Sequence, residues 1–217
     1  MLRDPLLSKY GIEKEERLLH EVDAKTNIQL EQTRGITGFF YKMYIDDSRA
    51  FASKFKDKKI LDIGAGDGII LSGTEIKAIE MDISINRCRR LKEKQDKVIC
   101  GNGFNIPLKD NSIDCVLLVA VLEHTSKPEL VIDESWRVLK KGGEAIIVVP
   151  NDIAMSLGRM LLLKFPARYP GHISFMSPYK IRKWVKNKFT IRNEYNLPFK
   201  NINFWVSMYL CVYLEKN

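Results

Sequence analysis

Five short apolar runs, separated by polar stretches of helical character, constrain this chain more than any other feature. KKILDIG (58–64), IKAIEMD (76–82), KVICGN (97–102), IDCVLLVAV (113–121) and EAIIVVP (144–150) read as strands. Continuous Ile, Val and Leu suit central strands of a parallel sheet, because helices cover both of its faces. The intervening stretches carry helix signals. Ser126 and Glu129 read as a capping box with Pro128 in the first turn, and Ile132, Trp136 and Leu139 share a face before Lys140-Lys141-Gly142 closes the helix. Ser84 caps a polar helix through Gln95, and Ser177-Pro178 opens another whose Ile181, Trp184 and Val185 face inward. FTIRNEY (189–195) and VSMYLCVYLE (206–215) read as closing strands, an antiparallel edge. The alternation predicts an α/β fold with a doubly wound, mostly parallel sheet.

The first 56 residues lack a strand signal and read as two helices broken at Gly35 and Gly38, the second with Phe39, Phe40, Met43, Tyr44, Phe51 and Phe55 on an aromatic face. This predicts an N-terminal helical lid over residues 1–56 and a main domain over 57–217, with a substrate-covering insertion at about 152–176. With 217 residues, 45% hydrophobic and 29% charged, the chain can bury a full core. It has no long apolar run, and its charged start does not resemble a secretory signal, so a cytoplasmic location is expected. Cys88, Cys100, Cys115 and Cys211 have no C-x-x-C spacing, and with only His20, His124 and His172 no metal site is expected. The net charge of +8 is uneven: from Met155 onward 11 Lys and Arg stand against 2 acids, leaving −1 for the rest. Such a basic third attracts phosphates, or is simply a lysine-rich solvated surface.

The chemistry concentrates in ILDIGAGDG, residues 60–68, where a buried strand runs into Gly64, Gly66 and Gly68. Glycines at this place let the backbone turn sharply and approach a ligand closely. Ile69-Ile70 follow the last glycine where a phosphate-binding P-loop needs Lys-Ser or Lys-Thr, and Gly68 comes one position too early for a dinucleotide fingerprint. The second strand ends in Asp82, a carboxylate suited to a ribose diol at the strand-end crevice. Glu80 is its rival, pointing the same way two residues earlier; otherwise it reads as a solvated strand-end charge. Asp62 lies on the first strand just before the glycines.

Taken with LEH (122–124) and RVLKKGGEAIIVVPN (137–151), residues 58–151 resemble a class I S-adenosylmethionine-dependent methyltransferase of the small-molecule branch that includes the ubiquinone and menaquinone biosynthesis enzymes. The resemblance implies a Rossmann-like sheet and S-adenosyl-L-methionine as cofactor, with S-adenosyl-L-homocysteine as product. It implies that Asp62, Gly64, Ala65 and Gly66 hold the methionine end, that Asp82 with Ile83 beside it takes the ribose, that Asn102, Gly103 and Phe104 flank the adenine, and that the Leu118 carbonyl meets the methionine ammonium. Two departures stand out. Asn102 occupies a position usually held by Asp, and the span from Gly68 to Asp82 is short, so the first helix of the domain is expected to be clipped.

The sulfonium methyl is already activated, so the protein must mainly align an acceptor and exclude water. His124 and His172 are the candidates for a catalytic base, each with a structural role as its alternative; His20 reads as packed or solvated. The acceptor is expected to be a small or lipid-like molecule. Residues 155–171, MSLGRMLLLKFPARYPG, mix apolar and basic side chains, which suits peripheral membrane contact or equally a core helix with snorkelling cations. The N-terminal aromatics suit a lid over the methyl group or plain helix-to-sheet packing. Methylation of RNA or protein is the rival function, without an appended RNA-binding module to support it, and a non-catalytic cofactor-binding protein of the same fold is the third.

Overall fold

The computed structural model describes residues 35–161, 163, 171–201 and 203–217. The helix expected within residues 13–32 and most of the basic stretch after Leu161 lie outside the described residues. Helix α1 (Gly35–Ser53) leads into β1 (Ile60–Ile63) and β2 (Ala78–Asp82). Next come α2 (Ile85–Lys92), β3 (Val98–Cys100), β4 (Ile113–Val119), α3 (Pro128–Val138) and β5 (Leu139–Pro150). The chain closes with α4 (Asp152–Leu161), α5 (Pro178–Val185), β6 (Phe189–Leu197) and β7 (Tyr209–Lys216). The seven strands form one sheet in the order β3-β2-β1-β4-β5-β7-β6. β1 to β5 are mutually parallel, and β7 runs antiparallel between β5 and β6.

Alternate residues of the central strands feed two apolar layers, as the period of a strand requires. Val116, Leu118, Ile147 and Val149 pack with Val131 and Ile132 of α3 and Ile181 and Val185 of α5. Cys115, Leu117, Ile146 and Val148 pack with Tyr44, Ile45, Phe51 and Phe55 of α1 or its end. Residues 35–55 are therefore a covering layer of the core. Asp47 ties that layer to the sheet edge by accepting from the hydroxyls of Tyr195 and Tyr213. All four cysteines are free thiols. No helix among the described residues is long and apolar enough to cross a membrane.

Several local expectations need correction. Gly38 lies inside α1, so the helix runs through that part of the expected break, while what precedes Gly35 lies outside the described residues. Helix α3 starts with Pro128 in its first turn and Lys127 at its N-cap, without a side-chain cap bond, so Ser126 and Glu129 do not form the capping box. The helix also ends sooner than expected. Leu139 turns extended (ψ 141°) and pairs with Ile113, and Gly142 (φ +72°) lets residues 140–143 bulge before regular pairing resumes at Glu144. The other caps hold: the Ser84 hydroxyl accepts from Arg87 N–H and the Ser177 hydroxyl from Lys180 N–H.

Candidate active site

All parallel strands deliver their C-terminal ends to one edge of the sheet, where a doubly wound fold binds its ligands. At the end of β1, Gly64, Gly66 and Gly68 have φ of +72°, +62° and +75°, the left-handed region that side chains disfavour. The loop is stapled to β2: the N–H groups of Gly64 and Ala65 donate to the Met81 carbonyl at 2.8 and 3.0 Å. Gly64 also has a roof. A Cβ placed there would sit 2.4 Å from Cγ2 of Val121.

Beneath this loop three carboxylates converge. Asp62 and Glu80 are register partners on β1 and β2, and Asp82 ends β2. All three are buried. Asp82 accepts the Gly66 N–H at Oδ2 and the Ser84 N–H at Oδ1, both at 2.9 Å. Oδ2 of Asp62 and both carboxylate oxygens of Glu80 have no hydrogen-bond partner among the described residues. Burial, then the charges of Glu80 and Asp82, push the Asp62 carboxyl well above the usual range. Burial likewise raises Glu80, with Lys94 opposing. The reading of Glu80 as a solvated charge is thus overturned: it is fully enclosed, and a Cβ on Gly68 would lie 3.0 Å from its Oε2.

The expected short span after Gly68 carries only turns in place of a helix. Arg49 of α1 compensates. Its guanidinium donates to the carbonyls of Ile70 (2.6 Å), Ile69 (2.9 Å) and Ser72 (2.9 Å), satisfying acceptors that a helix would have paired internally. No sequence motif announces this clamp.

The Asn102 loop abuts the same edge, since Gly101 N–H donates to the Asp82 carbonyl at 3.0 Å. The Asn102 side-chain oxygen accepts the Phe104 N–H at 3.0 Å, so it already closes its own turn. Gly103 is half-buried, and a Cβ there would make ordinary contacts with Val131 and Ile63. Phe104 is buried in the core with Ile106 and Val131. Arg137 fixes this loop from α3, donating to the carbonyls of Ile106 and Leu108 at 2.8 and 2.9 Å while paired with Glu134. Ile83 is half-buried beside Asp82, and Leu118 is buried opposite Ile147. Two residues past Leu118, Ala120 takes φ +51°, a strained conformation at the point where β4 opens into the crevice.

The two candidate histidines, 48 positions apart, come together with ring centroids 4.9 Å apart. His124 Nδ1 lies 2.8 Å from the Gly171 carbonyl, and His172 Nδ1 contacts Oδ1 of Asp152. Glu123, which sequence reasoning passed over, is buried within electrostatic reach of His172, Asp152, Tyr44 and Tyr209. Burial raises its carboxyl to about 7, with His172 lowering it and Asp152 raising it. Its charge in turn contributes to raising the phenols of Tyr44 and Tyr209, after burial and neighbouring tyrosines.

Comparison with known proteins agrees with this fold. A family described as "Methyltransferase domain" matches residues 61–147. The chain carries a class I S-adenosylmethionine-dependent methyltransferase domain. It is 36% identical over 120 residues to a protein of Methanocaldococcus jannaschii, covering 54% of this chain and 52% of that one. It is 26% identical over 190 residues to the demethylmenaquinone methyltransferase of Bacillus cereus, covering 80% and 79%. The chain spans about half the length of several curated relatives that it matches. The fold superposes with TM-score 0.68 on an S-adenosylmethionine-dependent methyltransferase from Thermotoga maritima, at 19% identity, covering 92% of this chain and all of that one. The domain's family implies S-adenosylmethionine as cofactor. The residues present fit it: a close-approach glycine loop lies over buried carboxylates with unused acceptor oxygens.

Proposed function

We propose that this protein transfers the methyl group of S-adenosylmethionine to a small or lipid-like acceptor. The observation that carries the reading is the orphaned Asp62 oxygen beneath a glycine loop already fastened to Asp82. In this reading Asp62 and the loop residues Gly64, Ala65 and Gly66 hold the methionine end. Asp82, with Ile83, takes the ribose hydroxyls, and Asn102, Gly103 and Phe104 border the adenine. The Leu118 carbonyl receives the ammonium. Bound there, the sulfonium supplies an activated methyl, and the chain's own work is to orient the acceptor and exclude water.

The lipid-like side of the reading rests on α4, which begins at the crevice edge. Ile153, Leu157, Met160 and Leu161 recur at helical spacing and are half or more exposed. Such a face suits an apolar acceptor or a membrane interface. A polynucleotide acceptor is less well supported. A groove edged by Lys56, Lys58, Lys59, Lys77, Lys97 and Lys109 does exist, but it opens at the N-terminal ends of β1, β2 and β4. At about 3.3 Å per residue, β1 alone separates it from the glycine loop by roughly 13 Å.

Calorimetric titration with S-adenosylmethionine and S-adenosylhomocysteine tests the cofactor. Micromolar binding of both is expected, lost in Asp82→Ala while circular dichroism stays unchanged; no binding by folded wild type refutes the reading. Methyl transfer from labelled cofactor to quinone precursors, phospholipid vesicles and RNA, assayed separately, tests the acceptor. Labelling of RNA alone would overturn the small-molecule assignment.

A further inference from the structure

Beyond the cofactor crevice, on the same edge of the sheet, β4 and β5 present a second constellation. We propose that Glu123, His124 and His172 bind a divalent transition-metal ion of zinc character, with Asp152 and the Gly171 carbonyl as the groups that orient the two imidazoles. One ligand atom from each of the three residues lies within 4.8 Å of the others. Tetrahedral ligands around zinc at about 2.0–2.2 Å are separated by about 3.4 Å, so the ion draws the side chains inward by about an ångström. That is a rotamer-scale movement.

The second observation is the pattern of hydrogen bonds behind the ligands. A carbonyl only accepts, so the contact with Gly171 places a proton of His124 on Nδ1. The Asp152 carboxylate does the same for His172. A carboxylate or carbonyl on one ring nitrogen is the arrangement by which proteins set the tautomer of metal-binding histidines. The third ligand supplies an independent sign. Glu123 is 1% exposed and its Oε2 has no hydrogen-bond partner among the described residues, and Oδ2 of Asp152 is in the same condition. A buried carboxylate oxygen without a partner is costly, and a cation held between Glu123 and two imidazoles removes that cost.

The backbone keeps the ligands in place. Ile173 and Ser174 N–H groups donate to the Glu123 carbonyl at 2.9 and 3.0 Å, and the Ser174 hydroxyl donates to the Thr125 carbonyl at 2.6 Å. The segment bearing His172 is thereby fastened to the segment bearing Glu123 and His124. The donor set decides the ion. Two imidazole nitrogens and one carboxylate favour zinc, cobalt or a similar ion over magnesium and calcium, which prefer all-oxygen sites. Three protein ligands leave one position open, as in zinc sites that take a water or a substrate atom. The site stands independently of the methyl-transfer reading.

The full chain, stripped with chelator and desalted, is titrated with Co2+ as the spectroscopic probe and then with Zn2+ in competition. One Co2+ per chain with four-coordinate visible absorption, displaced by Zn2+, is expected. Glu123→Gln and His172→Asn should each abolish it, and Asp152→Asn should weaken it by about 10- to 100-fold, the cost of losing an orienting partner. Circular dichroism and thermal melting certify that the variants fold. S-adenosylhomocysteine affinity, measured on the same samples, should persist, so that failure of the metal site and failure of the cofactor site are told apart. Folded wild type that binds neither Co2+ nor Zn2+, or binding undiminished in both Glu123→Gln and His172→Asn, overturns the proposal.

Discussion

Gly64→Ala isolates two costs that the structure separates. At φ +72° an L-residue pays about 1–2 kcal/mol for the left-handed conformation. The new Cβ would also stand 2.4 Å from Cγ2 and 2.8 Å from Cβ of Val121, against ordinary carbon contacts of about 3.5–4.0 Å. Forced overpacking of this kind costs about 1–3 kcal/mol, so the substitution should destabilise by about 2–5 kcal/mol in all. Val121→Gly removes every offending atom, whereas Val121→Ala removes only the methyl groups and leaves Cβ in place. Urea denaturation of the single and double variants, with equal m-values, reads the coupling. In the Gly64→Ala/Val121→Gly pair the steric part, about 1–3 kcal/mol, should be recovered and the conformational part retained. With Val121→Ala the recovery should be smaller. Additivity within about 0.5 kcal/mol for both pairs would mean that Val121 does not roof Gly64, and the close-approach argument for the loop would fail with it.

Arg49→Met, which keeps the apolar stem and deletes three donors, should loosen residues 69–72, destabilise by about 1–3 kcal/mol and weaken S-adenosylhomocysteine binding. Unchanged hydrogen exchange of the 69–72 amides would contradict the clamp. Glu80→Gln should raise the melting temperature of the ligand-free protein at neutral pH. Burial lifts the Glu80 carboxyl above its unfolded value, so the folded state holds the proton more tightly and loses stability as pH rises from the unfolded value through the folded one. The advantage of the Gln variant should therefore shrink as pH is lowered toward the ordinary glutamate range, and an advantage independent of pH would refute burial as its origin.

The sheet was legible in the sequence because a parallel strand buried on both faces needs an uninterrupted apolar run, and all five such runs became β1 to β5. The boundaries less so: the helical period of Ile132, Trp136 and Leu139 continued past Val138, but Leu139 answers to its β4 neighbour Ile113. Local pattern cannot register a partner 26 positions away. The glycine loop was equally legible, since a run of positive φ leaves its mark on residue choice. Glu80 was misjudged for a related reason. Alternation gives its direction, yet only the loop closing over β2 determines that the direction leads inside.

The same distinction explains the second constellation. His124 follows Glu123 in a short helical turn, but His172 arrives from beyond α4, and Asp152 is the first residue of α4. No spacing rule links positions 123, 124, 152 and 172, because the rules for metal motifs describe ligands on one helix or one loop. What links them is the parallel topology of β1 to β5, which brings the C-terminal ends of those strands to a common edge. Residues just past β4 and β5 in a doubly wound sheet are therefore neighbours whatever their separation in sequence. On that ground, a buried carboxylate two positions beyond Val121 and imidazoles held by Asp152 and Gly171 lie on the same edge of the sheet as the glycine loop.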